Sequence, residues 1–299
     1  PEPTKQAPTP KPPPPDALAT VSDEAPFPLA QTLGKTPQEV QPKLGEPTGK
    51  GLSRKSCLRY LPERTWFECN YAWQRYEDPT GTYAAVAVGY ERSADAAQAI
   101  AAEIKAAGGR AVAIRMDAAD PASIKQAVDR AASELGGLDI LINNAGIIRY
   151  GSAGAITLDD IDAVLAVNVR AVILATQAAL PHMSEGGRII TTGSNLADRV
   201  PEAGMALYSA SKSALVALTK GFARDLGPRG ITVNLVHPGS TNTDMNPADG
   251  PHAEAQRQRM AIKEYGQAED VAALYAFLAS PEARSVNGTG FTVDGGANA

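Results

Sequence analysis

The sequence predicts a doubly wound α/β fold on a parallel sheet over residues 83–299, preceded by a chain of different style. Three observations carry this expectation. Short continuous apolar runs recur at Ala84–Val88, Ala111–Met116, Leu138–Ile142, Arg188–Thr192, Ile231–Val236 and Phe291–Val293. Ala-rich amphipathic patterns, such as Ala94–Ala107 and Ser123–Leu135, separate most of them. Strands that are apolar throughout and alternate with helices belong to a parallel sheet covered on both faces. Before Tyr83 the alternation is absent and the composition shifts.

Residues 1–47 are dense in proline, with "PTPKPPPPDA" at their centre, and poor in apolar side chains. Such a stretch buries too little surface to offset ordering and reads as a disordered or polyproline tether. A short helix is expected at Thr36–Leu44, with Thr36 as its cap and Pro37 in its first position. Residues 48–82 hold six of the sixteen aromatics, both tryptophans among them, in "KSCLRYLPERTWFECNYAWQRYED", and read as a small β-hairpin turning at "LPERT". Cys57 and Cys69 flank that turn. A disulfide between them would imply an oxidising compartment, and two half-buried free thiols fit equally well. This segment resembles small exported lipoprotein-type domains and by itself would suggest a periplasmic setting.

The bulk properties narrow the function classes. The chain has 299 residues, a formal net charge of −5 and a pI near 5.4, which argues against nucleic acid as the partner. No apolar run approaches the roughly 18–20 residues of a membrane span. The chain begins at Pro1 without a Met or an apolar targeting segment, so any leader is expected to have been removed. His182, His237 and His252 lie in different segments and the two cysteines lack ligand spacing, so no metal site is expected.

The chemistry concentrates around "YSASK", Tyr208 to Lys212, at the start of a helical pattern. Residues four apart share a helix face, so the phenol and the ammonium point the same way. A phenol with a pKa of about 10 is a poor acid or base near neutrality, and a cation nearby favours the phenolate. Such a tyrosine can protonate a developing alkoxide or deprotonate an alcohol. Upstream, "RIITTGS" ends a strand in Ser194, whose hydroxyl can donate to a carbonyl oxygen. "LDILINNAG" ends another in Asn143-Asn144-Ala145-Gly146, where small residues permit close approach of a ligand. Asn168 sits mid-helix, where asparagine is disfavoured, and "VNLVHPGSTNTDM" leaves a strand through Pro238-Gly239 towards Thr243. All lie at carboxyl ends of strands or just beyond, where open α/β sheets bind ligands.

Taken in order, Asp117, Asn143 to Gly146, Asn168, Ser194, Tyr208, Lys212, Pro238-Gly239 with Thr243, and the closing "GTGFTVDGG" resemble the short-chain dehydrogenase/reductase family, beta-ketoacyl reductases among its members. The resemblance covers residues 83–299 and implies a Rossmann-like sheet and hydride transfer between a nicotinamide cofactor and a small carbonyl or alcohol substrate. It implies Tyr208 as acid/base, Ser194 as the group polarising the carbonyl, and Lys212 as the residue that lowers the Tyr208 pKa and holds the nicotinamide ribose. Asn168 would hold a water in a proton relay, Asp117 would face the adenine, and Asn143, Ala145 and Gly146 would lie along the cofactor. Pro238, Gly239 and Thr243 would bind near the carboxamide. The separation of 14 residues between Ser194 and Tyr208 is one longer than the commonest family spacing.

One landmark is missing. The family opens with a strand, a glycine-rich turn and a helix whose backbone N–H groups meet the cofactor pyrophosphate, and nothing of that form precedes Ala84. "TGKGLSRK" at Thr48–Lys55 resembles such a turn, but no apolar strand leads into it. The missing strand would lie between those at Ala84 and Leu138, exposing two edges. Either the aromatic stretch Trp66–Tyr76 fills the gap or the domain is incomplete. The chain therefore reads as a fusion across the "AAVAV" strand, joining an exported-type module to a reductase without its first βα unit. Beyond that strand, Arg92 and Ser93 suit a 2′-phosphate while Glu91 points away, favouring NADP over NAD. Thr241–Tyr265, where the family carries a substrate lid, reads as a mobile loop. The expected function is NADP(H)-dependent reduction of a ketone, in the cytoplasm, by a homo-oligomer. The alternative is a non-catalytic fusion or envelope-associated binding module.

Overall fold

The computed structural model describes residues 69–75, 85–106 and 108–299. The Pro-rich tether, the helix at Thr36–Leu44, Cys57, the Thr48–Lys55 turn and the boundaries near residues 47 and 82 lie outside the described residues. A seven-stranded sheet organises the rest, in the order β3-β2-β1-β4-β5-β6-β7. Its strands are β1 (Cys69–Arg75), β2 (Ala85–Tyr90), β3 (Arg110–Arg115), β4 (Ile140–Asn143), β5 (Arg188–Thr192), β6 (Thr232–Pro238) and β7 (Gly290–Val293). The six apolar runs of the sequence are β2 to β7, each within two residues of the expected bounds.

The gap in the sheet is filled. β1, from the aromatic stretch, lies between β2 and β4, and it runs antiparallel to both, whereas all the other pairings are parallel. Ala72 is paired with Val88 on one side and Ile142 on the other, and Trp73 with Ala87 and Leu141. Chain length dictates the direction. Nine residues separate Arg75 from Ala85. A parallel crossover needs a dozen or more, whereas an antiparallel neighbour needs only a short link. The segment expected to form a hairpin of its own thus contributes a strand to the large sheet.

Helices cover the sheet unevenly. On one face α2 (Pro121–Leu135) packs on β1, β2 and β3, and α4 (Ala171–Ala179) packs on β4. Their side chains and those of the strands form one continuous core that includes Ala87, Ile124, Val128, Leu141, Ala175 and Ile189. On the other face α1 (Ala94–Ala106) builds a cluster with Val88 and Ala111, and α7 (Ala268–Ala279) builds another with Ile190 and Val236. Among the described residues no helix lies over β1 between these two clusters, where the family's first helix would sit.

Local signals set the helix ends. Asp120 caps α2 by accepting from the N–H groups of Ala122 (3.0 Å) and Ser123 (3.3 Å), Pro121 begins it, and Gly136 ends it at φ +83°. Thr157 and Asp160 cap α3 (Leu158–Leu165) reciprocally. α3 passes through a π-turn, Ala166–Arg170, into α4. The helical run Leu158–His182 contains an 18-residue window of mean hydropathy 1.7, long and apolar enough to cross a membrane by length and composition. Here Val164, Ala171, Val172, Ala175 and Ala179 are buried in the protein.

The placement of β1 yields a first prediction. Ala72→Pro removes a backbone donor from a strand paired on both sides and leaves an acceptor without its partner, a loss of about 1–3 kcal/mol. Urea unfolding followed by circular dichroism should show a clear fall in the midpoint. An unchanged midpoint would place β1 outside the sheet.

Candidate functional site

The carboxyl edge of β4, β5 and β6 opens into a cleft of about 150 Å³, lined among others by Asn144, Gly146, Ser194, Tyr208, Lys212, Pro238 and Gly239. Helix α5 (Ala206–Leu226) presents Tyr208 and Lys212 one turn apart. The Lys212 Nζ lies 5.8 Å from the centre of the Tyr208 ring and donates to the Thr192 carbonyl at 2.9 Å, which ties α5 to the end of β5. Ser194, directly after β5, is buried and extended. Its Oγ accepts from the Leu196 N–H at 3.1 Å, leaving its own proton for the Tyr208 hydroxyl, with which it is hydrogen-bonded.

The electrostatics differ from the expectation that Lys212 lowers the Tyr208 pKa. Burial pushes Tyr208 up to about 12, opposed by the hydrogen bond from Ser194. Burial also pulls Lys212 down to about 8. Desolvation penalises whichever form is charged, so both groups are driven towards neutrality. At neutral pH Tyr208 is a phenol and Lys212 still carries its proton.

Asn168 stands in the π-turn, fully buried, and its side chain is committed. Its Oδ1 accepts from the Ile147 N–H at 2.9 Å, and its Nδ2 donates to the Ile147 carbonyl at 2.9 Å and to the Ser211 Oγ at 3.0 Å. Ser211 in turn donates to the Tyr208 carbonyl at 2.6 Å. Both Nδ2 protons are used within the protein. The amide clamps the loop after β4 onto the first turn of α5. A Cβ at Gly146 would stand 3.3 Å from Lys212 Nζ and 3.6 Å from Asn168 Oδ1, so only glycine leaves this edge open.

The other expected residues fall at the same edge, in two groups. Asn143 and Ala145 are buried at the end of β4, where Asn143 Nδ2 donates to Thr191 Oγ1 at 3.3 Å and its Oδ1 has no partner among the described residues. Gly239 follows β6, and a Cβ there would meet Asp294 at 2.4 Å, so β7 packs directly on this turn. Thr243 is buried and its hydroxyl accepts from the Asn246 N–H at 3.3 Å. Arg92, Ser93 and Asp117 stand beyond β2 and β3 and do not line the cleft. The Glu91 carboxylate meets the Arg92 guanidinium at 3.1 Å, with the Arg92 side chain 87% exposed. Asp117 Oδ1 accepts from the Ala119 N–H at 2.8 Å.

Among the described residues, a dinucleotide fits this edge at one end only. The nicotinamide end has Gly146 and the buried Lys212 ammonium lining the cleft. At the pyrophosphate position the antiparallel β1 brings its first residue, Cys69, beside Tyr90. Arg75 and Ala85 lie at the opposite edge, and among the described residues no helix N-terminus faces the gap.

The Thr241–Tyr265 segment is more ordered than expected. It contains α6 (Ala253–Arg259), whose Gln256 Oε1 accepts from Ser240 Oγ (2.6 Å), Asn246 Nδ2 (2.9 Å) and the Tyr265 hydroxyl (3.0 Å). Thr192, Tyr275 and His237 also emerge as site residues without having been singled out. The Thr192 hydroxyl bonds Asn144 Oδ1 at 2.7 Å and the Tyr275 hydroxyl at 2.6 Å. A threonine ending a strand and a tyrosine on an amphipathic helix carry no signal of their own.

Comparison with known proteins agrees with this geometry. A family profile described as Enoyl-(Acyl carrier protein) reductase matches residues 82–298. The chain is 47% identical over 206 residues to the "Cyclic-di-GMP-binding biofilm dispersal mediator protein" of Escherichia coli K12, covering 69% of this chain and 83% of that protein. It is 38% identical over 227 residues to the short chain dehydrogenase/reductase AacuN of Aspergillus aculeatus, covering 72% of this chain and 86% of that one. A crystal structure of a short chain dehydrogenase from Burkholderia cenocepacia J2315 in complex with NADP superposes with a TM-score of 0.70 at 68% identity, covering 71% of this chain and 87% of that one. With its sheet order, its Ser194–Tyr208–Lys212 cleft and these relatives, the chain belongs to the short-chain dehydrogenase/reductase family of oxidoreductases.

Proposed function

We propose that this chain reduces the carbonyl of a small ketone, using NADPH, with Tyr208 as the proton donor. The observation that carries this reading is the buried trio at the cleft: a phenol held neutral, a serine hydroxyl beside it and an ammonium behind it. Relatives solved with NADP and with NADPH support the choice of cofactor. When bound, the cofactor supplies a hydride from its nicotinamide ring. Ser194 then donates to the carbonyl oxygen, and Tyr208 delivers a proton to that oxygen as charge develops. Lys212 holds the ribose and keeps positive charge next to Tyr208. Asn143, Ala145 and Gly146 line the cofactor, and Pro238, Gly239 and Thr243 hold the carboxamide. Asp117 faces the adenine, and Arg92 with Ser93 holds the 2′-phosphate. Burial pushes Tyr208 up to about 12, so at neutral pH it keeps the proton that a donor in the reduction direction must hold. We place the reaction in the cytoplasm and in a homo-oligomer.

NADPH consumption against a panel of ketones tests the reading, with Tyr208→Phe as the control. That variant should keep its circular dichroism and lose about 100-fold or more of the rate. Retention of most of the rate would remove Tyr208 from the chemistry.

The pH dependence follows from the two buried groups. Lys212 carries its charge below about 8 and loses it as the pH rises through that value, while Tyr208 keeps its proton to about 12. The reduction rate should therefore be level below pH 8 and fall above it. In Lys212→Arg, any remaining activity should show no such fall. A wild-type profile that stays level to pH 10 would overturn the assignment.

Cofactor affinity should reflect the altered edge at β1. Backbone N–H groups at a helix N-terminus give charge-assisted bonds to pyrophosphate worth roughly 1.5–3 kcal/mol each. Two fewer cost roughly two to four decades, so NADPH should bind with a dissociation constant on the order of 1 mM by fluorescence titration. Replacing residues 1–83 with a strand, glycine-rich turn and helix of the family type should tighten it. A micromolar constant for the unaltered chain would refute the deficit.

A further inference from the structure

We propose that His237 is a positioning residue that orients Ser194 for the carbonyl. The inference rests on the role given to Ser194 above. His237 lies at the end of β6, 4% exposed, one residue before the Pro238-Gly239 turn. Its Nδ1 is 2.7 Å from the Ser194 carbonyl oxygen and 3.3 Å from the Ser194 nitrogen. One ring nitrogen cannot donate and accept at once, and the shorter contact calls for a proton on Nδ1, donated to the carbonyl.

The surroundings are shaped for the ring. A Cβ at Gly193 would fall 2.6 Å from His237 Nδ1, and a Cβ at Gly290 would fall 2.8 Å from its Nε2. A glycine just after β5 and one opening β7, on either side of β6, thus leave the space in which the imidazole sits, and any side chain at either position would displace it. Burying a polar ring here costs free energy unless it is hydrogen-bonded. The bond it makes is to the backbone of the residue whose hydroxyl faces the cleft.

The consequence for Ser194 is geometric. His237 holds the Ser194 carbonyl, and the Leu196 N–H holds its Oγ. With the peptide plane and the hydroxyl acceptor both held, the serine hydroxyl is left facing the cleft beside Tyr208. Removing the imidazole donor leaves the Ser194 carbonyl held by the Ala197 N–H alone, at 3.0 Å, so the Ser194–Asn195 peptide can tilt. A displacement near 1 Å of a catalytic group costs about 100-fold in rate.

Two variants of the full-length protein separate positioning from packing. His237→Leu fills similar space without a donor, and His237→Asn restores an N–H near the place of Nδ1. His237→Leu should lower kcat for ketone reduction by about 100-fold with little change in KM, and His237→Asn should recover most of the loss. Added to Ser194→Ala, His237→Leu should cost nothing further. Equal loss in both variants, or a full additional loss in the Ser194→Ala background, would overturn the proposal. Nitrogen-15 NMR of the imidazole decides it independently of turnover. The wild type should show a slowly exchanging proton on His237 Nδ1. His237→Leu should shift the Ser194 and Leu196 amide signals more than His237→Asn does. If the wild type reduces no ketone, the function fails while the NMR still tests the clamp. A neutral ring protonated on Nε2 alone sinks the clamp whatever the turnover.

Discussion

Two strand edges that must be paired govern this molecule. β2 and β4 are apolar strands whose inner edges face each other across one strand's width, and leaving both open would expose backbone donors and acceptors in the middle of the core. β1 closes the gap and so joins the β2–β3 pair to the four-stranded remainder. Because it enters antiparallel, the same strand that completes the sheet turns its amino end towards the ligand edge. Completing the fold and completing the cofactor cradle are therefore separate achievements, and β1 accomplishes the first.

On the other side of that strand the catalytic half is held by contacts between parts of the chain distant in sequence. Asn168 ties the loop after β4 to the first turn of α5, Lys212 ties α5 to Thr192, and His237 ties β6 to Ser194. Each of these buried polar groups is hydrogen-bonded, as burial requires. Their burial also sets the protonation states. The ammonium does not overcome desolvation at Tyr208, and the phenol stays protonated.

Much of this was legible beforehand. Apolar runs bounded by glycine and proline marked β2 to β7 because strands buried on both faces admit few other side chains. Ser194, Tyr208 and Lys212 were legible because their chemistry needs those residue types on adjacent elements. Asn168 was noticed as an asparagine inside a helix, but its clamp on Ile147 was not, since a partner 21 residues away leaves no local trace. His237 and Tyr275 were passed over for the same reason: a buried histidine in a strand and a tyrosine on a helix face read as ordinary core.

The sequence by itself determined the alternation of strands and helices, the residues at the strand ends and the shortage of chain before Ala84. These are local properties, written in periodicity, in turn residues and in counts of residues. Only the tertiary structure decided that an aromatic segment enters the central slot, that nine residues compel it to run antiparallel, and which way the buried pKa values move. Direction, burial and partnership depend on what surrounds a group in space, and residues far apart in the chain supply most of those surroundings.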